Sequence, residues 1–334
     1  MSKRKIPFSD NEVDKAVELH EKSIVFIMHD HYPLREEIPR MIAGGVTGIV
    51  LKLTVDVEIS GDIEASAKRF EGFTRMGLKA MDSAYSYIEE NGNAILALKA
   101  SDMEKAKKEN KAAVVFGNEG GKLLEGEIAS LRMFYRLGLR DMQLTWAVPN
   151  QLCRGWEADG LTGFGVDVVR EMNRLGIIID ASHLPQSAFT DLLETSKDPF
   201  IVSHGVAGRE QPLDQHIAMA EMGGLLGVHF YYSYLHKKGK EHIDLEDLLD
   251  KIDFSVENLG IDHVGLGADF FPSVGAWADL QHAQGTCNIE WAVSDVSRML
   301  EVTKGLVARG FSDNEVRKIL GENYLRIYRR VVGA

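Results

Sequence analysis

Six side chains able to bind a metal ion close short apolar runs of this sequence. The stretch "IVFIMHDHYPL", residues 24–34, ends on His29 and His31, which in an extended chain share one face while Asp30 points the other way. "AAVVFGNEGG" closes on Glu119, "LGIIIDASH" on His183, "PFIVSH" on His204 and "HVGLGAD" on Asp269. Singly, each has an ordinary reading: a surface histidine pair after a core strand, a helix cap at His183, a buried hydrogen-bonding ring at His204, an N-cap at Asp269. Jointly, four imidazoles and two carboxylates suit Zn²⁺ and its first-row neighbours, and one carboxylate can bridge two ions. Glu119 is the natural bridge, because the glycines after it let backbone and ligand approach closely. These ligands are too many for one tetrahedral site, so two zinc ions per chain are expected.

The elements that must position these groups recur along the chain. Apolar runs lie at 24–29, 46–53, 112–117, 141–146, 175–181, 199–204, 224–230 and 263–269, and helix-like segments such as 62–90 and 162–176 separate most of them. Strand runs alternating with helices indicate parallel βαβ units, and eight of them predict a (β/α)8 TIM barrel rather than a doubly wound open sheet. In such a barrel the active site forms at the C-terminal strand ends, so the six closing residues converge on one mouth. His229, near the mouth end of the seventh run, is a candidate substrate or supporting contact. His263 opens the last run, at the wrong end. His20, His216, His236, His242 and His282 lie in polar or helix-like surroundings and read as solvated surface groups.

The bulk numbers narrow the partners. The 334 residues are 45% hydrophobic and carry a formal charge of −12, with no basic run beyond "SKRK". That charge argues against nucleic acid and an anionic membrane surface, and favours a small-molecule substrate. Cys153 and Cys287 are too few for a disulfide framework. The first residues lack the apolar core of a signal peptide, and no run of 18 apolar residues appears. The expectation is one cytoplasmic domain spanning 1–334.

The stretches "NEGGKLLEGEIASLRMFYRLGLRDMQLTW", "GLTGFGVDVVREMNRLGIIIDASH", "IVSHGVAGRE" and "ILGENYLRIYRRV" closely resemble the renal or membrane dipeptidase family of zinc peptidases, from about His29 to near Arg330. The resemblance implies an amidohydrolase-type barrel with two zinc ions bridged by Glu119. It implies His183 and His204 on one ion, His29 with residue 31 on the other, Asp269 beside the reacting water, Arg209 on a substrate carboxylate, and a homodimer. Two positions depart from the family pattern. His31 stands where the family has an aspartate, and Trp146 stands where it has a histidine thought to steady the tetrahedral intermediate. The implied activity is hydrolysis of a dipeptide or related small carboxylate-bearing amide by a metal-activated water, with Asp269 accepting the proton. The departures lead to the expectation of poor general dipeptidase activity, with Trp146 in contact with the substrate. An N-acyl amino acid, a cyclic amide or a lactone is the alternative substrate. A barrel that binds metal or ligand without turnover is disfavoured, since it needs no proton acceptor.

Overall fold

In the computed structural model, which describes residues 9–59, 61, 63–154, 160–237, 241–283 and 289–334, every strand pairing in the sheet is parallel. The strands are β1 (Phe26–Asp30), β2 (Gly48–Val55), β3 (Ala94–Leu96), β4 (Ala112–Glu119), β5 (Asp141–Gln143), β6 (Ile178–Asp180), β7 (Ile201–Gly205), β8 (Leu225–His229) and β9 (Val264–Gly267). The order β2-β1-β9-β8-β7-β6-β5-β4, with β2 also paired to β4, closes an eight-stranded barrel. Those eight strands are the eight runs expected from the sequence. The ninth, β3, borders the start of β4 on the edge that β5 takes over at Glu119.

Alternation along the strands sorts the apolar side chains into two layers. Phe26, Met28, Val50, Ala113, Val115, Ile178, Ile201 and Leu225 form an inner core with Tyr324 and Tyr328. These tyrosines lie on the C-terminal helix Asn323–Val331, and Tyr324 stacks on Phe26 with ring centroids 4.2 Å apart. Phe26 begins β1, so this helix plugs the N-terminal end of the barrel and leaves the opposite end for chemistry. Ile27, Ile49, Leu51, Val114, Phe116, Val202 and Leu226 belong to the larger outer layer, packed with residues of Leu34–Ala43, Phe73–Asn91 and Gly163–Leu175. The helix expected at 162–176 is Gly163–Leu175, with Thr162 as N-cap accepting the Gly165 N–H and Gly176 in the left-handed conformation after its end. The segment expected at 62–90 is two helices, Ile63–Lys68 and Phe73–Asn91. No helix of the described residues is long and apolar enough to cross a membrane.

Candidate metal centre

Two β-bulges aim the histidines. In β1, Ile27 lies opposite Ile49 but Asp30 lies opposite Leu51, so one extra residue is accommodated. Strict alternation would put Met28 and His29 on opposite faces; instead Met28 joins the inner core and His29 also turns inward, as bulges near active sites commonly arrange. In β7, Val202 faces Leu226 and Gly205 faces Val228, so Ser203 and His204 both turn into the barrel. The Ser203 carbonyl then presses on β8 and β9. A Cβ at Gly227 or Gly267 would come within 2.1 Å and 2.2 Å of it.

The strand ends gather one carboxylate between two imidazole pairs. Glu119 Oε2 lies 3.1 Å from His31 Nε2 and 3.6 Å from His29 Nε2. Its Oε1 lies 3.2 Å from His183 Nε2 and 3.9 Å from His204 Nε2. Within the pairs, His29 and His31 bring their Nε2 atoms to 3.1 Å, and His183 and His204 to 2.9 Å. Two nitrogens on one tetrahedral zinc at about 2.0–2.1 Å are separated by about 3.3 Å, so each pair has nearly the spacing of ligands to one ion. Asp269 Oδ1 lies 3.4 Å from His31 Nε2 and 3.7 Å from His29 Nε2. The donor set therefore fits a metal centre, with Glu119 between two imidazole pairs.

The electrostatics favour cations here. Burial alone would push the Glu119 carboxyl up, yet His29, His183 and His31 hold it well below the ordinary range. Asp269 is likewise lowered against its burial by His204, His229 and His31. Burial would lower His31, but the Asp269 and Glu119 carboxylates raise it to about 9. Burial and Lys52 lower His29 to about 4. The carboxylates that stabilise a proton on His31 would equally stabilise a divalent ion.

His183 and Asp269 adopt φ of 62° and 52°, a left-handed conformation costing a side-chain-bearing residue about 1–2 kcal/mol. Strain of this kind collects at functional sites. The Trp291 indole N–H donates to the Asp269 carbonyl at 3.2 Å, and the His31 N–H donates to Phe270 O at 2.9 Å, which ties the β1 and β9 ends together.

Above the metal-facing atoms opens a cavity of about 230 Å³, walled by Trp146, Tyr231, Tyr234, Phe271 and Trp277 and reaching His31, Glu119, His183 and Asp269. Trp277 lies 4.5 Å from the His31 ring. Apart from Trp146, these aromatic walls come from the segments after β8 and β9, with Tyr234 on the short helix Tyr232–Leu235 and Trp277 on the helix Ala276–Ala283, and the sequence did not single them out. The remaining expected residues lie as follows. His229 is buried behind Asp269, with Nε2 3.3 Å from Oδ2, Nδ1 accepting the Tyr231 N–H at 3.1 Å, and Tyr234 stacked on it at 3.9 Å. Arg209 does not line the cavity: it pairs with Glu210 at 3.3 Å and lies over Tyr234 at 4.8 Å.

Three expectations need correction. His20 is buried, bonded to Thr303 and Gly44 O at 2.7 Å and 2.8 Å. His216 is buried as well, its Nδ1 accepting the Gly208 N–H at 3.1 Å. Both lie on amphipathic helices, whose inner polar positions a short window mistakes for solvated ones. The space beside Gly120 is filled by Asp56, not left to a ligand; a Cβ there would come within 2.2 Å of the Asp56 carboxyl carbon, which anchors the turn by accepting the Lys122 and Asn150 N–H groups at 2.7 Å each. His236 and His242 are exposed as expected. The side chain of His282 and all of Cys287 lie outside the described residues.

The family model described as membrane dipeptidase (peptidase family M19) matches residues 3–333. A dipeptidase of Claviceps purpurea (strain 20.1), tcpJ, is 32% identical over 249 residues, covering 71% of this chain and 55% of the relative. The chain thus spans about half the length of that curated relative. Among solved structures, an amidohydrolase from Pseudomonas aeruginosa superposes with a TM-score of 0.84 at 26% identity, covering 96% of this chain and 99% of the other. A metallopeptidase from Rhodobacter sphaeroides, liganded with a phosphinate mimic of the dipeptide L-Ala-D-Ala, shares the fold with a TM-score of 0.78 at 23% identity, over 93% of this chain and 100% of the other.

Proposed function

Because this chain belongs to the membrane dipeptidase family, we propose that it hydrolyses the amide bond of a dipeptide or a related small amide at two zinc ions bridged by Glu119. One observation carries the reading: an imidazole pair faces each oxygen of a single buried carboxylate. Bound ions would supply a nucleophile from water at neutral pH and polarise the scissile carbonyl. His29 and His31 would hold one ion, His183 and His204 the other. Asp269, with Oδ1 turned toward the first pair and Oδ2 backed by His229, takes a proton from the attacking water and returns it to the leaving nitrogen. The aromatic walls exclude water and accept apolar substrate groups. The metallopeptidase of the same fold from Rhodobacter sphaeroides is liganded with a phosphinate dipeptide mimic, and a cavity of about 230 Å³ suits a substrate no larger.

A second reading, an amide or lactone without a free carboxylate, draws on one observation. No lysine or arginine is among the cavity-lining residues described, and Arg209 is engaged by Glu210 and Tyr234. The test is a chelator-stripped and zinc-reconstituted protein assayed against L,L- and L,D-dipeptides, N-acyl amino acids, cyclic amides and lactones. Zinc-dependent cleavage of a dipeptide is expected. Turnover unaffected by chelation would overturn the mechanism, and zinc-dependent cleavage confined to cyclic amides or lactones would replace the substrate.

A further inference from the structure

The bulges that aim the histidines also bring a serine hydroxyl between two of them. We infer that Lys52, Asp180, Ser182 and Ser203 form a hydrogen-bond relay that fixes His29 and His204, one imidazole from each pair, in the tautomer able to bind metal. This rests on the two-metal reading above.

The direction of the relay follows from counting donors. The Lys52 ammonium has three hydrogens and no acceptor, and it is buried between Asp141 Oδ1 at 2.5 Å and Asp180 Oδ2 at 3.0 Å. Asp180 Oδ1 accepts the backbone N–H groups of Ser182 and Ser203, each at 3.0 Å, and the Ser182 hydroxyl at 2.8 Å. A carboxylate ringed by donors has no hydrogen to give, so the Ser182 hydroxyl hydrogen is committed to it. Ser182 Oγ in turn accepts the His204 backbone N–H at 3.3 Å and lies 3.2 Å from Ser203 Oγ. With the Ser182 hydrogen already used, Ser203 must be the donor in that contact. Its lone pairs are then left for His29 Nδ1 at 2.9 Å and His204 Nδ1 at 3.1 Å.

Both rings therefore donate from Nδ1 and present a bare Nε2 toward Glu119. The two Nδ1 atoms are 3.1 Å apart, so a ring lacking its Nδ1 hydrogen could accept from the other. It would then carry hydrogen on Nε2 and be lost as a ligand. The Ser203 hydroxyl and both Nδ1 atoms are all paired only when both Nδ1 atoms are protonated. The β7 bulge makes the arrangement possible, since it turns the consecutive residues Ser203 and His204 into the barrel together. These are positioning residues, acting through the two rings. Because Ser203 serves one ring of each pair, its loss must weaken both metal positions at once.

The test uses zinc-loaded protein, with the affinity of each position read by chelator competition and the imidazole N–H groups by NMR of ¹⁵N-histidine. The parent should bind two zinc ions and show slowly exchanging Nδ1 hydrogens on His29 and His204. Ser203→Ala should lower both affinities by about 10–100-fold, the usual effect of removing a ligand's hydrogen-bond partner, and speed exchange at both rings, while Ser203→Thr restores them. If Ser203→Ala does not fold, Ser182→Ala, which contacts neither ring, should still accelerate both exchanges. Unchanged affinities and exchange in a parent-like, two-zinc variant, or an effect on one position alone, would overturn the relay and leave the metal reading standing. A folded, zinc-supplied parent that binds none would overturn both.

Discussion

The bottom of the active-site mouth and its rim are built differently. The bottom consists of strand-end side chains, buried or largely buried, cross-bonded to one another and to Ser203. The rim consists of Trp146, Tyr231, Tyr234, Phe271 and Trp277, all beyond the last residues of their strands. Rigid, hydrogen-bonded polar groups hold chemistry in place, whereas aromatic residues lining a cavity shape what is admitted. On the proposed hydrolase reading, turnover belongs to the bottom and selection to the rim, and substitutions in each should separate the two.

The largest effect is expected at Asp269. Asp269→Asn should retain both metal ions and reduce kcat by about 10²–10⁴-fold, the range for losing a positioned proton acceptor. Near-parent turnover with parent metal content would remove Asp269 from the chemistry. At the rim, Trp146→His should raise kcat/KM for simple dipeptides by about 10²–10³-fold, the value of one donor to a developing oxyanion, without changing metal content. An unchanged rate would mean that this position does not limit dipeptide hydrolysis. Trp277→Ala should alter discrimination between substrates differing in apolar bulk by about 10–200-fold, seen in relative kcat/KM across the panel. A uniform loss for all substrates would place Trp277 with the bottom.

His216 belongs to neither region and should show it. Burial lowers its imidazole to about 4, so the folded state disfavours the charged ring. Its contribution is intact above the ordinary value of 6.5 and is lost as pH falls through about 4. His216→Asn, whose amide oxygen can accept the Gly208 N–H, should leave kcat unchanged. Urea unfolding at several pH values should show the parent losing up to about 3 kcal/mol relative to the variant between pH 6.5 and 4. Parallel pH profiles for parent and variant would contradict this.

The same division governs what the sequence discloses. Strands β1, β2 and β4–β9 could be read because buried parallel strands are continuous apolar runs, and their closing polar residues marked the bottom of the site. The bulges were not legible: simple alternation pairs His29 with His31 but sets Met28 and His29 on opposite faces, and the extra residue emerges only from register with β2. Ser203 and Asp180 adjoin or close recognised runs, and a polar residue beside an imidazole at a strand end was a usable signal. Tyr234, Phe271 and Trp277 had none, because they lie beyond the strand runs and close none of them. Arg209 was placed by resemblance, and its engagement with Glu210 and Tyr234 depends on contacts between segments that no local pattern encodes.

The most direct test is the metal content of purified, metal-replete protein, compared with Glu119→Gln by elemental analysis after removal of free ions. Two zinc ions per chain are expected in the parent and at most one in the variant, because the amide would have to replace a bridging carboxylate. No bound metal in the parent, or two ions retained by Glu119→Gln, would contradict the bridged two-metal site.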